Sequence, residues 1–387
     1  MTGLSACIAA RVADLDAASW DACFAGEAEG HAYYAACEAA AKARPAAIAT
    51  AAACVSDAQG IVAVAPLFVL TYRLDTSLQG RVRAIAARFG ALLPALKVLG
   101  VGSPYGERCH VGLAPRLDAN GRREACRALV ACVDAHARAR AIKLVAWKDV
   151  IGDHPPELSD VLAENGFTRV GGLPVAVLDL PFASEADYLA SLSQATRRDV
   201  RRKLAKSKDV EIEMRGCIDG LEAEVEALYE STRARSGLDY GDFEALPPGY
   251  FGSVSRALGA QAQFALYRVD GALVGFNLLL VEADRVIDKF LGLRYPAARD
   301  HNLYAVSWMH NVRWCIARGV KRLQSGQTAY AAKLRLGSRL VPCAIHFRHG
   351  GPLLDRALRA LAPRLAFDRN DPDLRALPPD HPYWTAA

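Results

Sequence analysis

An aspartate and a lysine, Asp288 and Lys289, interrupt an otherwise apolar stretch of sequence that is long enough for a β-strand. A carboxylate in such a place can accept a proton from a nucleophile or orient an amine. Because successive side chains on a strand point to opposite faces, only one of the two residues can face a cleft while the other faces outward. This pair is the first candidate for a chemical site.

Polar residues also follow the next predicted strand, VKRLQSG. Gln327, Tyr330 and Lys333 lie in the segment 326–337, and loops at strand ends carry functional residues more often than cores do. A tyrosine can donate or accept a proton, and a lysine can bind a phosphate or stabilise an oxyanion. The alternative is a surface loop whose polar residues have no chemical role.

Between these two segments, the sequence LYAVSWMHNVRWCIAR predicts a helix whose first turn offers free backbone N–H groups. Such a turn can bind an anion, and Arg294 and Arg299 would add positive charge. The alternative is an ordinary helix start, at which Asp300 or Asn302 caps the first turn. The position of the helix directly after a strand favours the anion site.

The most basic segment is QATRRDVRRKLAKSK, residues 194–208, in which Asp199 is the only acid. Its seven basic residues are Arg197, Arg198, Arg201, Arg202, Lys203, Lys206 and Lys208. Several lie four residues apart, so like charges would line a helix at a cost of roughly a few tenths of a kcal/mol per pair. This crowding favours a polyanionic partner, such as nucleotide phosphates, an acidic carrier protein or tRNA. The alternative is a solvated helix whose aliphatic stems pack on a sheet.

Composition excludes several classes of protein. The chain has 387 residues, of which 52% are hydrophobic and 23% charged, so it can bury a core and is not mainly disordered. Its 47 basic and 42 acidic residues are too evenly balanced for a protein that coats nucleic acid. The sequence has no apolar run of the roughly 18 residues that a membrane span needs, and its start does not resemble a signal peptide. We therefore expect a cytoplasmic protein without stable membrane insertion.

Metal and nucleotide motifs are missing from the sequence. The ten cysteines form no C-x-x-C pair and the nine histidines are scattered, so we expect buried, reduced thiols and no metal site. The P-loop, the dinucleotide-binding glycine pattern, the nucleophile elbow and the H-E-x-x-H pattern are also absent. Chemistry would therefore depend on the polar segments described above.

The order of predicted elements repeats in the two halves of the chain. In the second half, a three-stranded meander with an Asp270-Gly271 turn precedes a helix, a strand, a loop and a last strand, LVPCAIHFR. In the first half, two strands around DAQG precede a helix, a strand, a short helix and a closing strand, RVGGLPVAVLDL. The stretch RVRAIAARFGALLPALKVLG has no counterpart in the second half.

This repetition predicts an α/β (α+β) protein of two tandem units, each with a mixed, mainly antiparallel sheet flanked by helices. The units would occupy residues 1–180 and 181–364, and residues 365–387 would form a mostly irregular tail. The strand bearing Asp288 and the strand ending at Gly326 would be neighbours, joined by the 302–318 helix. We therefore expect Asp288, Tyr330 and Lys333 to converge on one pocket of the second unit.

Several segments of the second half resemble the GNAT acyltransferase superfamily and, more narrowly, its FemAB-like branch. They are SLSQATRRDVRRKL, the meander VDGALVGFNLLLV with RVIDKFLGL, the helix ending in ARG, and GQTAYAAKLRLG. The resemblance covers about residues 185–350, and the first half looks like the degenerate partner unit that this branch carries in tandem. The usual pyrophosphate loop, Q/R-x-x-G-x-G/A, is not present, and YPAARDHNLY takes its place.

The resemblance implies an N-acyltransferase that moves an acyl group from a thioester to a small-molecule amine by direct attack, with no tightly bound cofactor. The co-substrate would be acyl-CoA or an acyl carrier protein thioester. Asp288 would be the base or the amine-orienting group, Tyr330 the acid for the leaving group, and Lys333 a contact to the oxyanion or to donor phosphate. The donor-binding residues would be Arg197, Arg201, Arg202, Arg299, Asn302, Tyr304 and Gln327.

Two alternatives remain, one a different enzyme and the other a protein without catalytic activity. An aminoacyl-tRNA-dependent ligase of FemABX type would bind the acceptor stem through residues 197–208, with an affinity that falls steeply with salt. A non-catalytic binding protein would have kept the fold and lost the site, and the missing pyrophosphate loop favours this reading.

Overall fold

The computed structural model describes residues 3–41, 48–73, 95–151, 155–235 and 246–386, which form two compact units. Of these residues, the first unit contains 3–174, 246 and 341–386, and the second contains 175–235 and 247–340. This division differs from the predicted boundary after residue 180 and from the predicted separate tail. The reason is that the strand at residues 175–179 joins the sheet of the second unit, whereas the strand at residues 343–349 joins the sheet of the first.

The helices and strands are numbered along the chain. Up to residue 174 they are β1 (Ser5–Ala9), α1 (Ala17–Ala22), α2 (His31–Ala41), β2 (Ala49–Asp57), β3 (Gly60–Arg73), β4 (Ala95–Val101), β5 (Gly112–Leu113), α3 (Ala119–Ala139), β6 (Leu144–Ile151), α4 (Pro156–Glu164) and β7 (Thr168–Gly171). The next group is β8 (Val175–Asp179), α5 (Glu185–Ser191), α6 (Gln194–Lys206), β9 (Glu211–Arg215), α7 (Glu222–Arg235), α8 (Tyr250–Leu258), β10 (Ala262–Val269), β11 (Ala272–Val281), β12 (Arg285–Leu293), α9 (Ala297–Asp300), α10 (Leu303–Ala317), β13 (Arg322–Gln324), α11 (Tyr330–Arg335) and β14 (Arg339–Val341). The last group is β15 (Cys343–His349), α12 (Pro352–Leu365), α13 (Phe367–Asn370), α14 (Pro372–Arg375) and α15 (Pro382–Ala386).

The sheet of the first unit has the strand order β1-β2-β3-β4-β6-β15-β7, with β5 paired to β3. The β4–β6 pair is parallel, and the other pairs are antiparallel. Helix α3 packs on β1, β2 and β3. Its buried residues Ala125, Leu129 and Val133 recur at the helical spacing that the sequence predicts.

The sheet of the second unit has the strand order β9-β10-β11-β12-β13-β8-β14. Its single described parallel pair, β12–β13, occupies the same place in the order as β4–β6 does in the first unit. The repeated topology and the mixed, mainly antiparallel sheets confirm the predicted fold of two tandem α/β units.

The sixth place in each sheet is taken by a strand from a distant part of the chain. The predicted closing strand RVGGLPVAVLDL is two strands, β7 and β8, which belong to different sheets. The predicted strand LVPCAIHFR likewise divides at Pro342 into β14 and β15. Both connections contain a proline, Pro174 or Pro342, and proline lacks the N–H group that a continuous strand ladder requires.

Two further expectations differ from the structure. The stretch RVRAIAARFGALLPALKVLG was expected to have no counterpart in the second half, but its segment ALKVLG forms β4, the counterpart of β12. The rest of that stretch, residues 81–94, lies outside the described residues. The predicted irregular tail contains the three short helices α13 to α15, and Leu374 and Tyr383 there are buried. Within the described residues, no helix combines the length and the apolar character that crossing a bilayer demands.

The meander of the second unit forms as predicted. Asp270 and Gly271 have φ values of 51° and 76°, and the pair Val269–Ala272 closes the hairpin between β10 and β11. A two-residue turn with positive φ at both positions matches the twist of the flanking strands, and Asp-Gly is a favoured sequence for it. On its other edge, β11 pairs with β12, which carries Asp288.

Candidate functional site

The two parallel strands of the second unit part at Asp288. The described β12–β13 pairs are Arg285 with Arg322, Val286 with Leu323 and Ile287 with Gln324. Asp288 is the next residue of β12, which then continues to Leu293 along β11. The predicted neighbourhood of these strands, joined by α10, is thus confirmed. Ligand sites in α/β proteins form where adjacent strands separate in this way.

The Asp288 carboxylate is held by two buried amides. Asn277 on β11 donates a 2.7 Å hydrogen bond from Nδ2 to Oδ1, and Asn311 on α10 donates a 3.1 Å bond from Nδ2 to Oδ2. Both asparagines have no exposed surface, whereas Asp288 is half-buried. Amide donors of this kind stabilise the ionised carboxylate and fix its orientation.

The network extends to β10 through Asn277, because the Tyr267 hydroxyl donates a 2.8 Å hydrogen bond to Asn277 Oδ1. Asn277, Asn311 and Tyr267 were not among the predicted site residues. The available signal was the single amide inside the apolar run ALVGFNLLLV, since a buried amide needs hydrogen-bonding partners. No signal in the sequence pointed to Asn311, which lies on the next helix.

Two phenols near Asp288 remain protonated at neutral pH. Burial, with a smaller contribution from the Asp288 charge, raises the pKa of Tyr267 well above its usual value. The same two causes raise the pKa of Tyr304. The buried Tyr304 hydroxyl and the Asn311 Oδ1 atom make no hydrogen bond within the described part of the chain. The site therefore presents one unused donor and one unused acceptor.

Lys289 occupies a bulge rather than an outward-facing position. The β11–β12 register changes from Leu279 opposite Asp288 to Leu278 opposite Phe290, which leaves Lys289 as the extra residue. Lys289 is 7% exposed, and its Nζ atom lies 5.8 Å from the centre of the Phe290 ring. The expectation that one residue of the pair faces outward is wrong, because the bulge interrupts the alternation of side chains.

The segment after β13 folds into the short helix α11, which Tyr188 ties to α10. The Tyr188 hydroxyl donates a 2.9 Å bond to the Leu336 carbonyl and accepts a 2.9 Å bond from Trp308 Nε1. The Arg335 charge, at the end of α11, also acts on Tyr304. These contacts place α11 beside α10 in the second unit.

The predicted residues of this segment are mostly buried. Tyr330 has no exposed surface, Lys333 is 5% exposed, and Gln327 is half-buried. Tyr330 and Lys333 both lie on the helix α11 rather than on a loop. The convergence of Tyr330 and Lys333 on Asp288 stays a prediction.

The predicted side-chain cap at the start of α10 is wrong, whereas the anion site at its first turn stays a prediction. Asn302 has φ of +47° and makes no side-chain cap to α10; its Nδ2 atom instead donates a 3.2 Å bond to Ser207 Oγ at the end of α6. The neighbouring His301 pairs with Asp209 at 2.7 Å, and Arg299 is exposed on α9. Asn302 therefore joins α6 to the start of α10, and a donor-binding role for Arg299 stays a prediction.

The basic segment forms α6, and its charges are not equivalent. Asp199 pairs with Arg202 at 2.6 Å and with Lys203 at 2.8 Å, and Arg197 donates to the Ala190 carbonyl at 3.3 Å. The remaining exposed cations, which have no hydrogen bond or ion pair within the described residues, are Arg198, Arg201, Lys206 and Lys208. Arg197, Arg201 and Arg202 were the predicted donor-binding residues of this helix. Among these three, Arg201 is the one without a hydrogen bond or ion pair in the described residues.

Comparison with protein families places a known domain on this part of the chain. A model described as an acetyltransferase (GNAT) domain matches residues 194–334, which extend from α6 into α11. The match includes Asp288, Asn277, Asn311 and Tyr304.

Among curated proteins, the chain is 27% identical over 210 residues to a Mycobacterium tuberculosis protein with the provisional name 8-amino-7-oxononanoate synthase 2. The alignment covers 52% of this chain and 27% of that protein. The chain thus spans about a quarter of the length of the curated relatives that it matches.

Two solved structures have a similar fold. FemX is 14% identical, with 83% of this chain and 92% of that chain covered and a TM-score of 0.52. A tandem GNAT protein from the clavulanic acid biosynthesis pathway is 15% identical, with 90% of this chain and 99% of that chain covered and a TM-score of 0.51. At these identities the likeness establishes the fold, and it extends over both units.

Proposed function

From the premise that the chain is a transferase of the GNAT superfamily with a FemAB-like tandem fold, we propose that it moves an acyl group from a thioester to the nitrogen of a small amine. The observation that carries the proposal is the Asp288 carboxylate, oriented by Asn277 and Asn311 where β12 and β13 part. The chemistry takes place in the second unit, and the enzyme works in the cytoplasm.

Asp288 receives the acceptor amine. Its carboxylate binds the ammonium form, takes one proton, and leaves a neutral nitrogen with a lone pair directed at the thioester carbonyl. Nitrogen attack forms the C–N bond, and collapse of the tetrahedral intermediate breaks the C–S bond. The second proton that the nitrogen loses replaces the one that Tyr330 gives to the thiolate. The two amide donors contribute by holding the carboxylate in one orientation, so that little reorganisation accompanies the reaction.

Tyr304 and Tyr330 supply protons or hydrogen bonds to the other side of the reacting carbonyl. The protonated Tyr304 hydroxyl, buried and without a partner in the described residues, stabilises the oxyanion. Tyr330 protonates the departing thiolate. Lys333 contributes positive charge to the oxyanion or to a phosphate of the donor.

The donor is an acyl-CoA or acyl carrier protein thioester that acts as a co-substrate, and no resident cofactor takes part. Its phosphates meet the start of α10, with Arg299, Asn302 and Gln327, and the cationic face of α6. The partly exposed side chains of Asn302 and Gln327 are compatible with this arrangement.

A second candidate function is transfer of an aminoacyl group from aminoacyl-tRNA. The observation that favours it is a set of exposed cations on α6 and just after it that are unpaired within the described residues: Arg198, Arg201, Lys206 and Lys208. Phosphate backbones bind such surfaces, with an affinity that depends strongly on salt. The amine chemistry at Asp288 would be the same in both cases, because each donor is an activated carbonyl. The match to an acetyltransferase domain supports either enzyme over a non-catalytic protein.

The donor is tested by thermal unfolding of the full chain with acetyl-CoA, a longer-chain acyl-CoA, an acyl carrier protein thioester and aminoacyl-tRNA. We expect one donor class to raise the midpoint, and that class is then used to measure acyl transfer to a panel of primary amines. Asp288→Asn is the test variant in the transfer assay.

Asp284→Asn is the matched control, because Asp284 lies four residues earlier, is exposed and pairs with Arg322. Loss of transfer in Asp288→Asn but not in Asp284→Asn supports the assignment. Failure of every donor to bind, or equal transfer by both variants, would overturn it.

A further inference from the structure

A polar cavity of about 170 Å³ is lined by residues of the first unit, none of which is assigned to acyl transfer. Its lining includes Glu27, Arg108, His110 and Asp149. An engineered cavity of about 150 Å³ holds a benzene molecule, so this one has room for a small organic molecule.

The cavity lies where β4 leaves its parallel partner β6. The last described pair of these strands is Val101 with Trp147, while β6 continues to Ile151. Gly102 turns the chain away with φ of +114°, and a side chain at this position would lie 3.1 Å from the Cys109 carbonyl oxygen. The crevice at the carboxyl ends of parallel strands is the general location of ligands in such sheets.

Arg108 is a nearly buried cation with most of its donors unused. The residue is 7% exposed, and within the described residues its guanidinium makes one hydrogen bond, 3.1 Å from Nη1 to Glu27 Oε1. A guanidinium has five N–H donors, so most of them are available to a ligand. Because Arg108 lines the cavity, these donors can bind an acceptor group such as a carboxylate there.

Asp149 supplies the opposite charge. It is 4% exposed and contacts Lys148 through Oδ2, whereas Oδ1 makes no hydrogen bond in the described part of the chain. Glu27 adds a second carboxylate to the lining, and His110 Nε2 lies 3.3 Å from Glu27 Oε2. The cavity therefore offers cationic donors and anionic acceptors together.

We propose that this cavity in the first unit binds a small zwitterion with a carboxylate and an ammonium group, of the size of a small amino acid. Arg108 binds the carboxylate, and Asp149 with Glu27 binds the ammonium group. A molecule with only one of these charges would use either the spare donors of Arg108 or the spare Oδ1 atom of Asp149, but not both. None of the lining residues belongs to the second unit, and the proposal does not depend on the function proposed for that unit.

The test is equilibrium dialysis of the full chain with radiolabelled L-serine, with competition by glycine, L-threonine, acetate and ethylamine. We expect saturable binding of L-serine, displacement by the other two amino acids, and at least tenfold weaker displacement by acetate or ethylamine. Displacement by acetate alone, or by ethylamine alone, as effective as that by glycine would replace the zwitterion with a simple anion or cation and overturn the proposal.

Two variants locate the site. Arg108→Gln and Asp149→Asn each remove one charge-assisted contact and should weaken binding about 10- to 100-fold. Asparagine is chosen because Asp149 has φ of +56°, a conformation that asparagine tolerates. Should Arg108→Gln fail to fold, as judged by circular dichroism, Asp149→Asn decides alone.

Arg116→Gln is the matched control, since Arg116 lies in the same unit and forms a surface ion pair with Asp57. It should bind L-serine as the unaltered chain does. Absence of saturable binding to the unaltered chain, or unchanged binding in a folded Arg108→Gln or Asp149→Asn variant, would refute the proposal.

Discussion

Asn311 donates a 3.1 Å hydrogen bond to the Asp288 carboxylate across 23 residues of sequence. Asp288 lies on β12 and Asn311 on α10, the helix that connects β12 to its parallel neighbour β13. The crossover helix thus helps to orient the charged group at the point where those two strands part. Several predictions about catalysis and stability depend on this contact and its neighbours.

Asp288→Asn should lower acyl transfer about 10²- to 10⁴-fold, because an amide cannot accept the proton from the amine. The measurement is the rate of amide product formation at saturating donor. Asp284→Asn should retain full activity, since its carboxylate pairs with Arg322 at the exposed start of the strand. A fully active Asp288→Asn enzyme would contradict the assigned role.

Asn311→Leu should reduce the free energy of unfolding by about 1–3 kcal/mol, because Asp288 loses one of its two amide donors while remaining half-buried. Urea denaturation at pH 7 measures the change. Asn120→Leu, an exposed substitution on α3, should change the same quantity by less than about 0.5 kcal/mol. Equal effects of the two substitutions would show that the contact to Asp288 contributes nothing.

Tyr304→Phe should lower the transfer rate about 10-fold or more without loss of stability, because the hydroxyl has no partner among the described residues. Tyr188→Phe is the contrasting variant, since its hydroxyl makes two hydrogen bonds, to Leu336 and from Trp308. It should reduce the free energy of unfolding by about 1–2 kcal/mol. A destabilised but fully active Tyr304→Phe enzyme would contradict the role in catalysis.

Arg198→Gln combined with Arg201→Gln should weaken binding of the anionic donor and flatten its salt dependence. For tRNA, each lost phosphate contact should reduce the slope of log K against log salt by about 0.7–0.9. Titrations at several salt concentrations measure this slope. Arg322→Gln, which breaks a surface pair with Asp284, should leave it unchanged, and an unchanged slope in the double variant would indicate a merely solvated helix.

His346 should make the first unit less stable in mild acid. Burial, with a smaller contribution from Arg169, lowers its pKa to about 4, compared with roughly 6.5 in the unfolded chain. Between these values the unfolded state binds more protons, so stability is complete above pH 6.5 and falls as the pH decreases toward 4. The slope for one such group approaches about 1.4 kcal/mol per pH unit.

His346→Leu should remove this contribution. Unfolding free energies measured at pH 7 and pH 5 should then differ less in the variant than in the unaltered chain. The two ring nitrogens have no hydrogen-bond partner in the described residues, so the substitution leaves few groups newly unsatisfied. An identical pH dependence in both proteins would show that His346 is not buried in its neutral form.

The sequence was informative where structure depends on residues close together in the chain. The Asp270-Gly271 turn, the helix up to Gly319 and the repeated order of elements follow from local backbone preferences and hydrophobic periodicity. The same patterns located Asp288 beside the end of a parallel strand pair. The sequence by itself therefore determined the fold class, the repeat and the neighbourhood of the candidate base.

Tertiary structure decided which strands complete each sheet and which side chains surround Asp288. Strands β8 and β15 have the apolar pattern of any buried strand, and that pattern carries no information about which sheet they join. The bulge at Lys289 likewise depends on the register with β11, and Asn277, Asn311 and Tyr267 meet only once three strands and a helix have packed. Such contacts arise from burial and hydrogen bonding between residues far apart in the chain, because a buried polar group must find a partner wherever the fold provides one.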